Sequence, residues 1–334
     1  MLDAFQRPIH DLRISVTDRC NFRCVYCMPK HVFGPNYPFL KRSQLLTYEE
    51  IEQVARVFVR LGVRKLRLTG GEPLVRNDIE SLIEKLASID GVQDVSLTTN
   101  GSLLTRKKAE KLYSAGLRRI TVSLDSIDGE TFKSMNGVDF APEPVLEAID
   151  TAADVGLTPL KINMVVKRGV NDNAVLSAAR RFRGTGHILR FIEYMDVGNS
   201  NAWRENEVIS AAEIRDIIGR EFPIEPVTPD YHGEVAQRWR YTDGEGELGI
   251  IASVSQPFCG SCTRVRLSAD GSLYTCLFAT KGHDLRSLLR QGISEEGLFE
   301  RVESIWSARS DRYSELRATQ VVEIPKIEMS YIGG

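Results

Sequence analysis

Six cysteines stand in two groups of three, Cys20, Cys24 and Cys27 near the start and Cys259, Cys262 and Cys276 near the end, with none between the groups. Three chemistries compete for such triplets. Disulfides suit them least, because a chain of 334 residues buries a large core without staples and a reducing compartment does not keep them. Zinc closes a structural site with four ligands. His31 or His283 would then complete a triplet, and this suits the C-terminal set better than the C-x3-C-x2-C spacing of the N-terminal one. Iron–sulfur cubanes are held by thiolates, normally four. With three, one iron keeps an open position that a substrate can take, and two triplets make two such clusters.

A second set of residues carries charge. Arg13 falls on the first candidate strand, Lys65 and Arg67 alternate on the second, and Lys161 opens the fifth. Arg264 and Arg266 follow the second cysteine group and share a face if that segment is extended. Any one of them alone reads as an exposed strand residue. In a barrel, however, alternate residues of several parallel strands point into one cavity. Cations gathered there repel one another unless an anion fills the space, and arginine pairs with phosphate through two hydrogen bonds. A polyphosphate such as a nucleoside triphosphate is the expected substrate. No G-x-x-x-x-G-K-S/T loop is present, so the chain is not a P-loop NTPase.

The elements that must position these residues alternate. An apolar strand over 12–16 precedes Cys20. Thr47-Tyr48-Glu49-Glu50 is a capping box ahead of a helix whose inner face is Ile51, Val54, Ala55 and Phe58, and Gly62 closes it. Further strands are expected over 63–68, 95–98, 120–124, 160–166 and 187–192. Helices are expected from near Asn77 and over about 104–115, 143–155 and 172–183. Six strands alternating with helices imply parallel pairing through helical crossovers. Six units do not close an eight-stranded barrel, so the expected fold is α/β, an open, partial (β/α)6 barrel. Near residue 200 the alternation stops. Pro223, Pro226 and Pro229 break the chain, 238–255 reads as a hairpin turning at Asp243-Gly244-Glu245-Gly246, and the second cysteine group follows. This divides the chain into a barrel over 1–200 and a smaller C-terminal region over 201–334, which covers the open side.

Composition bounds the rest. Hydrophobic residues make up 42% and charged residues 26%, which excludes a disordered chain, a collagen and a polytopic membrane protein. The net charge of −2 excludes a general polycation for nucleic acid. No apolar run has transmembrane length and residues 1–12 lack the core of a signal peptide, so a cytoplasmic protein without a membrane partner is expected.

The segment Cys20-Asn21-Phe22-Arg23-Cys24-Val25-Tyr26-Cys27, with its aromatic before the last cysteine, resembles the radical S-adenosylmethionine (SAM) superfamily. Gly70-Gly71-Glu72-Pro73, which alone reads as a tight turn, then resembles that superfamily's GGE motif. Over nearly its whole length the chain resembles the GTP 3′,8-cyclase family of molybdenum-cofactor biosynthesis. The matching segments are 12–20 (LRISVTDRC), 67–74 (RLTGGEPL), 97–101 (LTTNG), 122–126 (VSLDS), 190–195 (RFIEYM), 258–266 (FCGSCTRVR) and the terminal Gly333-Gly334.

The resemblance implies residue roles. Cys20, Cys24 and Cys27 would hold a 4Fe-4S cluster whose open iron is chelated by the methionine part of SAM. Tyr26, Gly71, Ser123 and Met195 would contact SAM. Cys259, Cys262 and Cys276 would hold a second 4Fe-4S cluster, whose open iron meets the guanine base. Arg13, Arg67, Thr98, Lys161, Arg264, Val265 and Arg266 would hold GTP, with Lys65 beside them. Gly333 and Gly334 would reach into the active site as catalytic residues. The implied reaction uses an electron from an external reductant to cleave SAM, takes hydrogen from C3′ of the GTP ribose, joins that carbon to C8 of guanine and ends in a reduction that gives 3′,8-cyclo-7,8-dihydro-GTP. A homodimer and hand-over of the product to the cyclic pyranopterin monophosphate synthase are implied likewise. Two other readings stand beside this one. A radical SAM enzyme acting on a peptide would not need the cationic set, and a zinc-stabilised binding module leaves residues 70–72 and the barrel pattern unexplained.

Overall fold

The computed structural model describes residues 1–317 and 326–333. The expected alternation is present. Strands β1 (Asp11–Ser15), β2 (Lys65–Thr69), β3 (Asp94–Thr99), β4 (Arg119–Ser123), β5 (Lys161–Val166) and β6 (Ile188–Glu193) pair in parallel, each with the next. Helices such as Tyr48–Arg60, Ile79–Ala87, Arg106–Ser114, Glu143–Val155 and Val175–Phe182 run between them. The first of these starts as its capping box requires. The Glu50 amide donates to Thr47 Oγ1 at 3.1 Å, and the Thr47 amide donates to Glu50 Oε2 at 2.7 Å. Ile51, Val54, Ala55 and Phe58 are buried in the core beside Leu12, Ile14, Leu66 and Leu68. Each such side chain contributes roughly 1.5–3 kcal/mol on burial.

The sheet is wider than the six strands read from the sequence. Strands β7 (Ile224–Val227), β8 (Gln237–Tyr241), β9 (Glu247–Ile251), β10 (Arg264–Leu267), β11 (Ser272–Tyr274) and β12 (His283–Asp284) complete it. Among the described residues twelve strands form one sheet in the order β12-β11-β10-β1-β2-β3-β4-β5-β6-β9-β8-β7. The C-terminal strand β10 lies parallel against β1, and β9 lies parallel against β6. The parallel row thus runs from β10 to β9, open, with an antiparallel ribbon at each end. Neither addition is visible as an alternation, because β9 arrives by a hairpin from β8 and β10 follows a cysteine turn rather than a helix. The proline-rich stretch also holds a strand, β7. It lies at the end of the sheet, where Pro226 has no outer neighbour needing its missing N–H.

One unexpected helix, Gly129–Asn136, bears on the site. Asp128 caps it by accepting from the Thr131 amide at 2.9 Å. Its last turn accepts the amides of Arg23 and Val25 through the carbonyls of Asn136 and Met135, at 2.9 and 3.1 Å. Gly137, at φ 66°, ends the helix so close to the cysteine loop that a Cβ there would lie 2.1 Å from the Arg23 carbonyl oxygen. Among the described residues no helix is long and apolar enough to cross a membrane.

Candidate active site

The strand period of two sorts the parallel row into two faces. Leu12, Leu66, Val95, Ile120, Ile162, Leu189, Leu248 and Val265 go to the helix-covered core. The alternate residues line one cavity. In register, Arg13 lies beside Arg67 and Arg266, Arg67 beside Ser96, and Thr98 beside Thr121, which pairs with Lys161. The six cations expected to converge do so: Arg13, Lys65, Arg67, Lys161, Arg264 and Arg266 all line the cavity, as does Thr98. The side chain of Val265 faces away from it, in the core at 1% exposure, because it falls on the odd phase between Arg264 and Arg266.

The cavity also holds two cations that were not singled out from the sequence, Arg119 and Arg190. Arg119 pairs with Asp94. Arg190 is buried, and its hydrogen-bond partners among the described residues are neutral, Asn163 Oδ1 at 3.0 Å and Thr121 Oγ1 at 3.4 Å. Burial, then the Arg67 and Arg119 charges, pull Arg190 down to about 9, with Tyr231 opposing. Burial, with Arg190, Arg119 and Arg67 behind it, pulls Lys161 down to about 7. Burial and then Arg264 bring Arg266 to about 10. Such depressed bases are an electrostatic vacancy for an anion. The period of two in residues 119–123 and 188–192 was the signal that could have found Arg119 and Arg190.

The N-terminal triplet lies at the end of the cavity where β1 to β6 finish. All six cysteines are free thiols, and all six line the cavity. Gly70, Gly71, Tyr26, Ser123 and Met195 line it as well. The turn after β2 is tied to the cysteine loop: the Gly71 amide donates to the Thr17 carbonyl and the Glu72 amide to the Arg19 carbonyl, both at 2.8 Å. A Cβ on Gly71 would lie 2.3 Å from the Arg19 oxygen. Glu72, missed as a residue with its own role, is fully enclosed. Its carboxylate accepts from the amides of Leu74 and Asn100 and from Thr99 Oγ1 at 2.7–2.9 Å, and burial still pushes it up to about 7. Tyr26 donates to Asp125 Oδ2 at 2.9 Å, and burial raises Asp125 to about 6. Burial, and then Glu72, raise Cys20 to about 12, and burial pushes up Cys24 and Cys27. These sulfurs become thiolates when a cationic metal centre compensates them.

The C-terminal triplet lies at the opposite end. Cys262 lies two residues before β10, which runs parallel to β1, whereas Cys20 follows β1. Burial raises the Cys262 thiol, but Arg264 and Arg309 outweigh it and hold it down at about 6. The contact is direct: Arg264 Nη2 donates to Cys262 Sγ at 3.2 Å. Cys276 is pushed up to about 12 by burial and Asp311. Among the described residues no three His, Cys, Asp or Glu side chains converge on a point that a single metal ion could occupy, and neither His31 nor His283 completes a triplet.

Two segments complete the enclosure. Residues 230–236 lie across the ends of the strands where β1 to β6 begin, with Lys65 Nζ 3.2 Å from the centre of the Tyr231 ring. The C-terminal tail enters beside β2, where the Gly333 carbonyl accepts from Arg266 Nη1 at 2.6 Å and the backbone passes close to Thr69. Gly334 lies outside the described residues.

Residues 14–182 match the Radical SAM superfamily family model, and residues 187–315 match the Molybdenum Cofactor Synthesis C model. A protein of Acidothermus cellulolyticus named GTP 3′,8-cyclase is 53% identical, covering 99% of this chain and 98% of that protein. One of the same name from Staphylococcus carnosus is 50% identical over the same shares. Among solved structures, Streptococcus suis SuiB bound to S-adenosylmethionine superposes with a TM-score of 0.63 at 15% identity, covering 94% of this chain and 75% of SuiB. Methylornithine synthase superposes with a TM-score of 0.51 at 18% identity, covering 65% of this chain and 63% of the synthase. At those identities the likeness is one of fold.

Proposed function

The chain belongs to the GTP 3′,8-cyclase family of the radical SAM superfamily, and from that premise we propose that it converts GTP to 3′,8-cyclo-7,8-dihydro-GTP in molybdenum-cofactor biosynthesis. One observation carries the reading: a row of cations lies between two cysteine triplets in a single cavity. When bound, a SAM-loaded cluster supplies hydrogen abstraction at C3′ of the ribose, which lets that carbon bond to C8 of guanine. What this chain's residues do follows from their placement. Cys20, Cys24 and Cys27 hold one 4Fe-4S cluster and Cys259, Cys262 and Cys276 the other. All six are free thiols lining one cavity, and three thiolates apiece fit a cubane that keeps one iron open. Gly71, Tyr26, Ser123 and Met195 hold SAM beside the first, with Tyr26 oriented by Asp125. Arg13, Arg67, Lys161, Arg264 and Arg266 hold the triphosphate, and Thr98 assists. Arg190 and Lys65 join them. Strands, tail and the 230–236 segment keep water from the reacting carbon.

The division that fits these roles is a barrel over 1–200 and a C-terminal region over 201–334 that delivers the second triplet and the Arg264–Leu267 strand. The enzyme works as a homodimer in the cytoplasm, takes two electrons in turn from an external one-electron reductant, one for SAM cleavage and one, with a proton, for the reduction that closes the reaction, and passes its product to the cyclic pyranopterin monophosphate synthase. Gly333 acts from its contact with Arg266.

Protein purified without oxygen should carry about eight irons and matching sulfide per chain, the content of two cubanes, and consume GTP and SAM when given a reductant. About four irons with one zinc would make the C-terminal site structural and remove the guanine-binding role. A second test addresses the SAM end. Gly71→Ala should weaken SAM binding about 5- to 150-fold, from the ~1–3 kcal/mol that a backbone shift of this kind costs. Equilibrium binding of SAM to the cluster-loaded protein measures it, and wild-type affinity would show that the Arg19 contact is dispensable.

A further inference from the structure

The chain's first residues meet the segment after the helix Glu295–Ser307 behind the C-terminal cysteine loop. Asp3, Arg7 and Arg309 meet there at 3%, 2% and 4% exposure. Arg7 Nε donates to Asp3 Oδ2 at 2.6 Å, and Arg309 Nη1 donates to the same oxygen at 3.2 Å. Asp3 Oδ1 accepts the amides of Phe5 and Arg7, each at 2.9 Å, so the carboxylate is fixed on both sides. Hydrogen bonds from the same guanidiniums also run outward to the cysteine loop. Arg7 Nη1 donates to the Cys259 carbonyl at 2.9 Å and to the Asp311 carbonyl at 2.8 Å. Arg309 Nη1 donates to the Cys262 carbonyl at 2.8 Å. The guanidinium of Arg309 lies over the Trp306 ring and that of Arg7 over the Phe5 ring, 4.6 and 5.1 Å from the ring centres.

Stability alone does not explain this arrangement. Ionic groups buried this deeply are often matched or bettered by apolar side chains of similar volume. What apolar groups cannot do is hold two cysteine carbonyls in place through charge-assisted hydrogen bonds. Groups that orient metal ligands from behind fix their geometry, and losing one typically costs about 10–100-fold in metal affinity.

We propose that Asp3, Arg7 and Arg309 are positioning residues for the C-terminal iron–sulfur site, holding the backbone of Cys259 and Cys262 so that their thiolates meet the cluster. This rests on the reading of Cys259, Cys262 and Cys276 as cluster ligands. Arg7 and Arg309 act through the cysteine carbonyls, and Asp3 acts by holding the two guanidiniums.

The test uses the full chain purified without oxygen, once with all six cysteines and once with Cys20, Cys24 and Cys27 replaced by alanine, so that the C-terminal cluster is read alone. Into both backgrounds go Arg309→Met, Arg309→Lys and Asp3→Asn. Iron and sulfide content, iron release to a chelator, the electron paramagnetic resonance spectrum of the reduced cluster and the thermal unfolding midpoint are measured. Arg309→Met should release iron from the C-terminal cluster about tenfold faster or more, with an altered spectrum, while release from the N-terminal cluster is unchanged. Arg309→Lys, which keeps the charge but loses the fork, and Asp3→Asn, which keeps the shape, should fall between, and they carry the test if Arg309→Met does not fold. Wild-type release in all three variants overturns the proposal. So does equal acceleration at both clusters with a lowered unfolding midpoint, the mark of a merely structural role. About four irons in the unaltered chain, and none in the chain lacking the first triplet, would instead overturn the reading of the triplet and the proposal with it.

Discussion

Arg266→Met is expected to lower kcat/KM for GTP by about thirty- to a thousandfold without destabilising the ligand-free chain. The two effects have one cause. Arg266 is buried at 4% exposure, and the one hydrogen-bond partner found for it among the described residues is the neutral Gly333 carbonyl. The largest charge influence on it is another cation, Arg264. Neutralising it relieves repulsion in the free protein, so the unfolding midpoint holds or rises. With a triphosphate present, the same charge is worth about 2–4 kcal/mol, the usual loss when one member of a desolvated charge pair is truncated. The measurement pairs anaerobic steady-state kinetics with thermal unfolding with and without GTP. GTP should raise the wild-type midpoint, because a ligand that binds only the folded state stabilises it, and should barely move the variant. An equal GTP shift in both proteins would show that Arg266 does not meet the substrate.

Lys161 gives the second large effect, and it is a pH effect. Burial and the neighbouring arginines bring it down to about 7 in the free fold, against 10.5 for an ordinary lysine. Between those values the unfolded chain holds the proton and the folded chain does not. The penalty on folding is therefore complete below pH 7, fades as pH rises from 7 and is gone above 10.5. A bound polyphosphate reverses the balance by favouring the ammonium. GTP binding near pH 8 should thus take up close to one proton at Lys161, and affinity should fall up to about tenfold per pH unit above 7. Calorimetry in two buffers of different ionisation enthalpy reads the proton uptake. Lys161→Met should abolish that uptake, weaken GTP about 10–100-fold and stabilise the free chain most at low pH. Binding without proton uptake in the wild type would remove Lys161 from the phosphate site.

Much of the fold could be read in advance because its signals are local. The capping box at Thr47, the apolar face of Tyr48–Arg60 and the six β-then-α units depend on neighbours a few residues apart. The period of two placed Lys65 with Arg67 and Arg264 with Arg266 on common faces, and the structure agrees. The same period sends the side chain of Val265, which came from a family motif rather than from its phase, into the core. The parallel placing of β9 and β10 at the two edges was not legible, because strand pairing across such separations leaves no periodic trace. Arg119 and Arg190 were missed for a related reason: a cation on a strand acquires meaning only from the cations on the strands beside it.

The sequence by itself determined which chemistry was available: two thiol triplets, a glycine turn beyond β2 and a set of strand cations, together with the alternation that requires a parallel sheet. Residue type and short-range spacing carry all of these. The tertiary structure alone decided that the triplets face each other along one cavity, that β10 joins β1 to put Arg264 and Arg266 beside Arg13, and that Asp3, Arg7 and Arg309 meet behind the second cysteine loop. Those relations depend on strand order, register and burial. They lower Lys161 to about 7 and hold the Cys262 thiol at about 6, values that no residue has until its neighbours are folded around it.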